Sequence, residues 1–254
     1  MDIETNREEK AEKRAAAGRR FRRRMKKLPG VLRAVVLLKF VHRDDHKEYS
    51  RWQFDCAAAE YDDTEAYEMV KADYPEILEE LKKEPFGSLL DCGCGTGAVL
   101  ALLEKEYPDK TFTGIDLSEG MLEIAKNRNL KKTDFLCGDC EELPFPDESF
   151  DVVLCSHSFH HYPNPQRFFH SVFRVLRPGG RLILRDNTGD FSWRMKQNYV
   201  TIPLNNWKYR EGDVRFYSIR QVSRLCKKAG LNVETMEERA GHKLHGTARK
   251  GTGV

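Results

Sequence analysis

From about residue 50 onward, two hydrophobic patterns alternate along the chain. Short apolar runs at 88–91, 111–115, 134–137, 151–155 and 181–184 are too short for helices. They also lack the in-out alternation of a strand with one wet face. Between them, at 99–106, 121–128 and 165–176, and flanking them at 67–83 and 219–229, apolar residues recur every three to four positions, the spacing of a helix with one buried stripe. Buried strands separated by helices predict a doubly wound, mostly parallel α/β sheet. Two extended stretches, 231–236 and 243–248, fit a final antiparallel pair and bring the expected strands to seven.

The first fifty residues read differently. Residues 1–30 are charged and Ala-rich, with Arg19, Arg20, Arg22, Arg23, Arg24, Lys26 and Lys27 around Phe21 and Met25. Pro29-Gly30 breaks that segment, and 31–41 reads as a short apolar helix. The expected organisation is a basic N-terminal helical extension over 1–49 and one domain over 50–254.

Composition sharpens this division. The formal charge of +3 combines 15 Lys/Arg against 8 Asp/Glu in residues 1–50 with 28 against 32 in the remainder, so the basicity belongs to the N-terminus. No apolar run approaches the roughly 20 residues of a membrane span, and the run 34–38 is flanked by charge with no cleavage site behind it. Seven cysteines are too few and odd in number for a disulfide scaffold. These features predict a soluble cytoplasmic protein.

Candidate chemistry concentrates at Leu89-Leu-Asp91-Cys-Gly93-Cys-Gly95-Thr-Gly97-Ala98, where a strand should end and a helix begin. Glycines there let backbone amides approach a ligand closely. Gly93, Gly95 and Ala98 also satisfy a loose dinucleotide fingerprint, with Asp116 placed for a ribose. Charge separates the two ligands, because a pyrophosphate beside Asp91 is repelled whereas an ammonium group is attracted. S-adenosylmethionine carries an ammonium and a sulfonium but no phosphate.

Four more motifs follow in order: Gly114-Ile-Asp116-Leu-Ser118, Gly138-Asp139-Cys140 with Leu143-Pro-Phe145, Phe150-Asp-Val-Val-Leu154, and Arg174-Val-Leu-Arg-Pro178-Gly-Gly180. With the glycine loop, they make residues 50–250 resemble the class I S-adenosylmethionine-dependent methyltransferases, particularly the ubiquinone and menaquinone biosynthesis type. The resemblance implies a Rossmann-like fold and S-adenosylmethionine as cofactor, with S-adenosylhomocysteine as product. It implies a cofactor site of Asp91, Gly93, Cys94, Gly95, Gly97, Asp116, Leu117, Asp139, Cys140 and Ser156. Asp116 would accept from the ribose hydroxyls and Asp139 from the adenine amine, with the Cys140 amide donating to the ring. Leu117 and Leu143 would sandwich the purine, and Ser156 would face the methionine portion. Ser118 reads better as a helix cap, and Pro178-Gly-Gly180 as a structural turn.

Ser156-His157-Ser-Phe-His160-His161-Tyr162 falls at the carboxyl edge of the sheet. His160 and His161 are the candidate catalytic bases, although proximity and orientation can supply much of the rate of a methyl transfer without one. Cys92-x-Cys94 and Cys137-x-x-Cys140 read as free buried thiols, and no metal ligand is assigned. His42, His46, His170, His242 and His245 carry no usable spacing.

The expected activity is transfer of the methyl group to an O, N, S or C nucleophile of a small-molecule acceptor. An RNA or protein acceptor recruited by the basic N-terminus is the less favoured alternative, as is a binding module without catalysis. The basic segment would serve equally for peripheral contact with an anionic membrane. Residues 187–217 read as a substrate-covering insert, since 191–217 holds 7 of the 26 aromatics: Phe191, Trp193, Tyr199, Trp207, Tyr209, Phe216 and Tyr217.

Overall fold

The computed structural model describes residues 43–209 and 211–252. The expectations for the basic segment 1–30 and the apolar helix 31–41 lie outside the described residues.

Seven strands form one sheet: β1 (Ser88–Cys92), β2 (Thr111–Asp116), β3 (Thr133–Cys137), β4 (Phe150–Ser156), β5 (Leu176–Asn187), β6 (Leu231–Arg239) and β7 (Lys243–Lys250). Their spatial order is β3-β2-β1-β4-β5-β7-β6, as a doubly wound sheet requires. β1 to β5 pair in parallel, while β7 runs antiparallel to both β5 and β6. The order reverses between β1 and β4, so a crevice opens beyond their carboxyl ends. Asp91 pairs in register with Gly114, and Asp116 with Cys137, which brings the two acids to that same rim.

The helices are α1 (Arg43–Ala57), α2 (Glu65–Lys71), α3 (Tyr74–Lys82), α4 (Ala98–Glu106), α5 (Glu119–Asn127), α6 (Pro165–Val175), α7 (Phe191–Lys196), α8 (Ile202–Tyr209) and α9 (Ile219–Lys228). α1 crosses the expected boundary between residues 49 and 50. On one face of the sheet, Ile77 and Leu81 of α3 and Leu100 and Leu103 of α4 are buried against β1. On the other face, Phe168, Phe169 and Val172 of α6 join Val222 and Cys226 of α9. Truncating a fully buried ring such as Phe169 to alanine costs about 3–5 kcal/mol through lost burial and the cavity left behind.

The helix expected over 67–83 is two helices, broken at Ala72 and Asp73. Pro75 sits at the start of α3, where its missing N–H costs nothing, whereas inside one long helix it would clash with the preceding turn. Asp73 contributes no side-chain cap to that helix; its carboxylate pairs instead with His157 and Lys243. Among the described residues, no helix is long and apolar enough to cross a membrane.

Candidate functional site

β1 ends at Cys92, and the chain turns through the glycines into α4. The amides of Gly93 and Cys94 both donate to the carbonyl of Ile115, at 2.8 and 3.1 Å, tying the turn to β2. Gly95 N donates to Asp116 Oδ2 at 2.8 Å, and Ser118 N to Asp116 Oδ1 at 2.9 Å. Gly93 has φ +75°, and a Cβ there would stand 1.9 Å from Ser158 Oγ. Gly95 also has positive φ, but nothing lies within 4 Å of where its Cβ would be. One glycine is required by the protein's own packing, and the other leaves its backbone open to a ligand.

Asp91, Gly93, Cys94, Gly95, Asp116, Leu117, Asp139, Cys140 and Ser156 all line one cleft of about 960 Å³, its open mouth included. Two expected contacts differ. Gly97 is outside the lining and packs under Phe135, which stands 2.9 Å from its would-be Cβ. Leu143 is also outside the lining, buried in the core cluster, so among the described residues Leu117 and Met121 supply the apolar wall near Asp116. Ser118 is a cap, its Oγ accepting from Met121 N at 3.1 Å.

Asp91 is 1% exposed, and its Oδ2 has no hydrogen-bond partner. Burial, reinforced by the negative charge of Asp116, pushes its carboxyl up to about 8. Ser156 Oγ is likewise buried without a partner in the same lining. A cationic ligand that donates hydrogen bonds would satisfy both atoms, so the donor set fits the ammonium end of S-adenosylmethionine. Burial also raises Asp116, against the lowering effect of the amides of Ser118, Gly95 and Leu117. Asp139 is already engaged: Oδ1 accepts from Glu141 N at 2.8 Å, and Oδ2 from Lys47 Nζ at 2.6 Å.

Lys47 belongs to α1, which closes the cleft from above together with the turn at Ala58–Asp63 and α2. Ser50, Phe54, Tyr61, Tyr67 and Tyr74 join it in the lining. Three side-chain clasps hold this roof. Lys47 also reaches Glu141 Oε2 at 2.5 Å. Asp55 Oδ1 accepts from Ser118 Oγ at 2.6 Å and Gly120 N at 3.0 Å. Asp62 accepts from Thr96 Oγ1 at 2.6 Å and pairs with Arg128. Apart from Tyr162 beyond β4, the cleft's described Phe and Tyr residues therefore come from 54–74 rather than from the insert, whose described side chains are absent from the lining. Their near-heptad spacing at 54, 61, 67 and 74 was the available signal.

The histidines divide by environment. His160 Nδ1 lies 2.7 Å from Asp186 Oδ1, and its ring packs 5.1 Å from that of Phe216. Burial alone would lower its pKa, but the charges of Asp186 and Asp213 outweigh this and raise it to about 9. His160 is absent from the lining, its ring held between Asp186 and Asp213 instead. His161 does line the cleft, edge-on to Phe54 at 5.2 Å. Burial and the charge of His160 bring it down to about 4, so it is neutral but weakly basic. His157, not anticipated from sequence, also lines the cleft, with Nε2 2.8 Å from Asp73 Oδ2. Of the cysteine pairs, Cys137 is exposed rather than buried, while Cys92, Cys94 and Cys140 are buried free thiols.

Residues 90–184 match the family model described as a methyltransferase domain. Over 99 residues the chain is 43% identical to a phthiotriol/phenolphthiotriol dimycocerosates methyltransferase of Mycobacterium ulcerans, covering 39% of this chain and 36% of that protein. Over 129 residues it is 36% identical to a demethylmenaquinone methyltransferase of Thermotoga maritima, covering 49% and 55%. The chain thus spans about half or less of the length of these relatives. In fold it is similar to a chain of a solved Haloferax volcanii complex between the Trm112 methyltransferase activator and a methyltransferase. That likeness has a TM-score of 0.66 at 20% identity and covers 81% of this chain and 99% of the other. These matches bear out the resemblance to the class I S-adenosylmethionine-dependent methyltransferases.

Proposed function

We propose that this protein binds S-adenosylmethionine in the cleft and transfers its methyl group to an apolar small-molecule acceptor. The observation that carries the reading is Asp91, a buried carboxyl with an unpartnered oxygen facing a cleft whose rim holds Asp116 on the neighbouring strand. When bound, the cofactor supplies an already activated methyl on sulfur. Asp91 and Ser156 hold the amino-acid end, and Asp116 takes the ribose hydroxyls. Gly95 admits the ligand against its backbone, and Asp139 orders the adenine side through its pairing with Lys47. Phe54, Tyr61 and Tyr67 keep water from the transfer, so positioning rather than a strong base supplies the rate.

An apolar acceptor suits the aromatic roof. It also suits the segment 191–209, which has no acidic residue and exposes Phe191, Met195, Tyr199, Val200 and Leu204. In this reading 187–217 contacts the lipid-like part of the acceptor outside the cofactor cleft. All seven cysteines are free, which supports a reducing compartment, the cytoplasm. The test is methyl-labelled cofactor incubated with the protein and, separately, lipid extract, aqueous metabolites, RNA or protein. Label in the lipid fraction is expected; label confined to RNA or protein would establish the alternative acceptor class instead.

A further inference from the structure

His160 Nε2, His161 Nδ1 and Asp213 Oδ1 all lie within 4.8 Å of one another, the group among the described residues that offers three metal-capable atoms together. Asp213 Oδ1 stands 3.3 Å from His161 Nδ1 and 3.8 Å from His160 Nε2. A zinc-class ion holds nitrogen and oxygen ligands at about 2.0–2.2 Å, which separates neighbouring ligands of a tetrahedron by roughly 3.3–3.5 Å. Asp213 Oδ1 therefore stands close to that spacing from both imidazole nitrogens.

Two independent features point the same way. Asp186 accepts from the main-chain N–H of His160 at 3.0 Å and holds Nδ1 of the same residue at 2.7 Å, so the ring is fixed and Nε2 aims at Asp213. A carboxylate behind a histidine is the usual support of a metal-bound imidazole. His161 Nδ1 is buried and, although near Asp213, makes no hydrogen bond. Backbone bonds hold the third group in place: Val214 N and Arg215 N donate to the carbonyl of His160 at 2.9 and 3.1 Å, carrying Asp213 to the histidines.

We propose that His160, His161 and Asp213 bind one divalent transition-metal ion of the zinc class, with an exchangeable fourth position facing the cleft that His161 lines. Two imidazoles and one carboxylate favour zinc, cobalt, iron or manganese over calcium or magnesium. The ion displaces the proton on His160 Nε2, while Nδ1–H stays on Asp186. The role of the fourth position rests on the function proposed above. There the ion would act as a Lewis acid on an acceptor hydroxyl, easing loss of its proton to solvent at the cleft's open mouth, while the oxygen pair forms the bond to the methyl carbon and the sulfur leaves as a neutral thioether.

Chelator-stripped full-length protein dialysed against Zn²⁺ should retain one ion per chain by mass spectrometry. His161→Gln and Asp213→Asn should each weaken that uptake by about tenfold or more, with folding checked by circular dichroism, and Asp186→Asn by about 10–100-fold as the positioning residue. Should a variant unfold, the unmodified protein titrated with Co²⁺ provides a second readout, the visible bands of a four-coordinate site. No retained ion, equal uptake by the protein and both ligand variants, or a six-coordinate cobalt spectrum each overturns the site. Calorimetry with S-adenosylmethionine on the stripped protein is read separately. Its failure would remove the proposed function while leaving the ion count standing.

Discussion

The floor and the roof of the cleft are built on opposite principles. The floor is strand ends and backbone donors: Gly95 and Ser118 amides on Asp116, and Ile115 O holding the glycine turn. Each group is fixed by the ladder beneath it, and Asp91 is fully buried. The roof is held by side chains from residues 43–74, and its ion pairs are partly open to solvent, Lys47 and Asp139 at 29% and 31% exposure. Backbone donors on a sheet edge recognise a ligand without rearranging, whereas side-chain clasps can part and reform. The comparison assigns recognition to the floor and access to the roof.

The sharpest way to break that division is Asp116→Ala. It should cost about 1.5–3 kcal/mol of cofactor affinity, roughly 10–150-fold by calorimetry. A loss below twofold would show that the floor does not recognise the ribose. Proton linkage at Asp91 comes next. With its carboxyl near 8, an ammonium ligand must expel a proton to pair with it, so affinity should rise by up to about tenfold per pH unit from pH 6 to 8. Asp91→Asn should flatten that slope relative to the unmodified protein. For the ligand-free protein the sign is opposite: a raised carboxyl stabilises the fold at acidic pH and loses that contribution as pH climbs from about 4 through 8. Asp91→Asn should therefore melt higher than the unmodified protein at pH 8.

On the roof, Lys47→Met removes the cation paired with the fully buried Glu141 carboxylate, leaving it only the hydrogen bonds from Asn164. It should destabilise the fold by about 1–3 kcal/mol in urea unfolding at pH 7. Lys47 is raised above its usual value, because Asp139 and Glu141 outweigh burial, so its charged pairing persists unchanged from pH 6 to 9. Cofactor affinity should fall less than for Asp116→Ala; an equal fall would erase the distinction between floor and roof. The smallest effect belongs to Asp55→Ala, about 0.5–1.5 kcal/mol of stability from two lost hydrogen bonds at an exposed residue. High salt should shrink it further, and an effect indifferent to 1 M NaCl would mean that the clasp is not electrostatic.

The floor was legible because its chemistry is local. Asp91 and the glycines lie within seven residues, and Asp116 follows from one strand of the next βα unit. The sheet followed from apolar runs of strand length. The roof was not legible, because Lys47 meets Asp139 across 92 positions and nothing near either residue announces the pair. Pro75 did mark the break between α2 and α3, and a stricter reading of helix interiors would have used it. Asp186 escaped notice because β5 runs past the apolar stretch that signalled it, and the acid orienting His160 stands on that extension. The aromatic count in 191–217 was real, but composition says nothing of direction: Trp193 stacks on His242 and packs on Phe216, and is absent from the lining of the cleft.

β7 also shapes how the molecule comes into being. It is last of the seven strands in chain order, yet it lies between β5 and β6. Until residues 243–250 are synthesised, β5 has no partner along the edge it later shares with β7, and β6 has no neighbour in the sheet at all. The parallel half can assemble as its helices appear, but the half behind His160 and Asp186 must wait. During translation the nascent chain therefore passes through a stage with an open hydrogen-bonding edge on its central β5, the interval in which it is most exposed to mispairing with another chain.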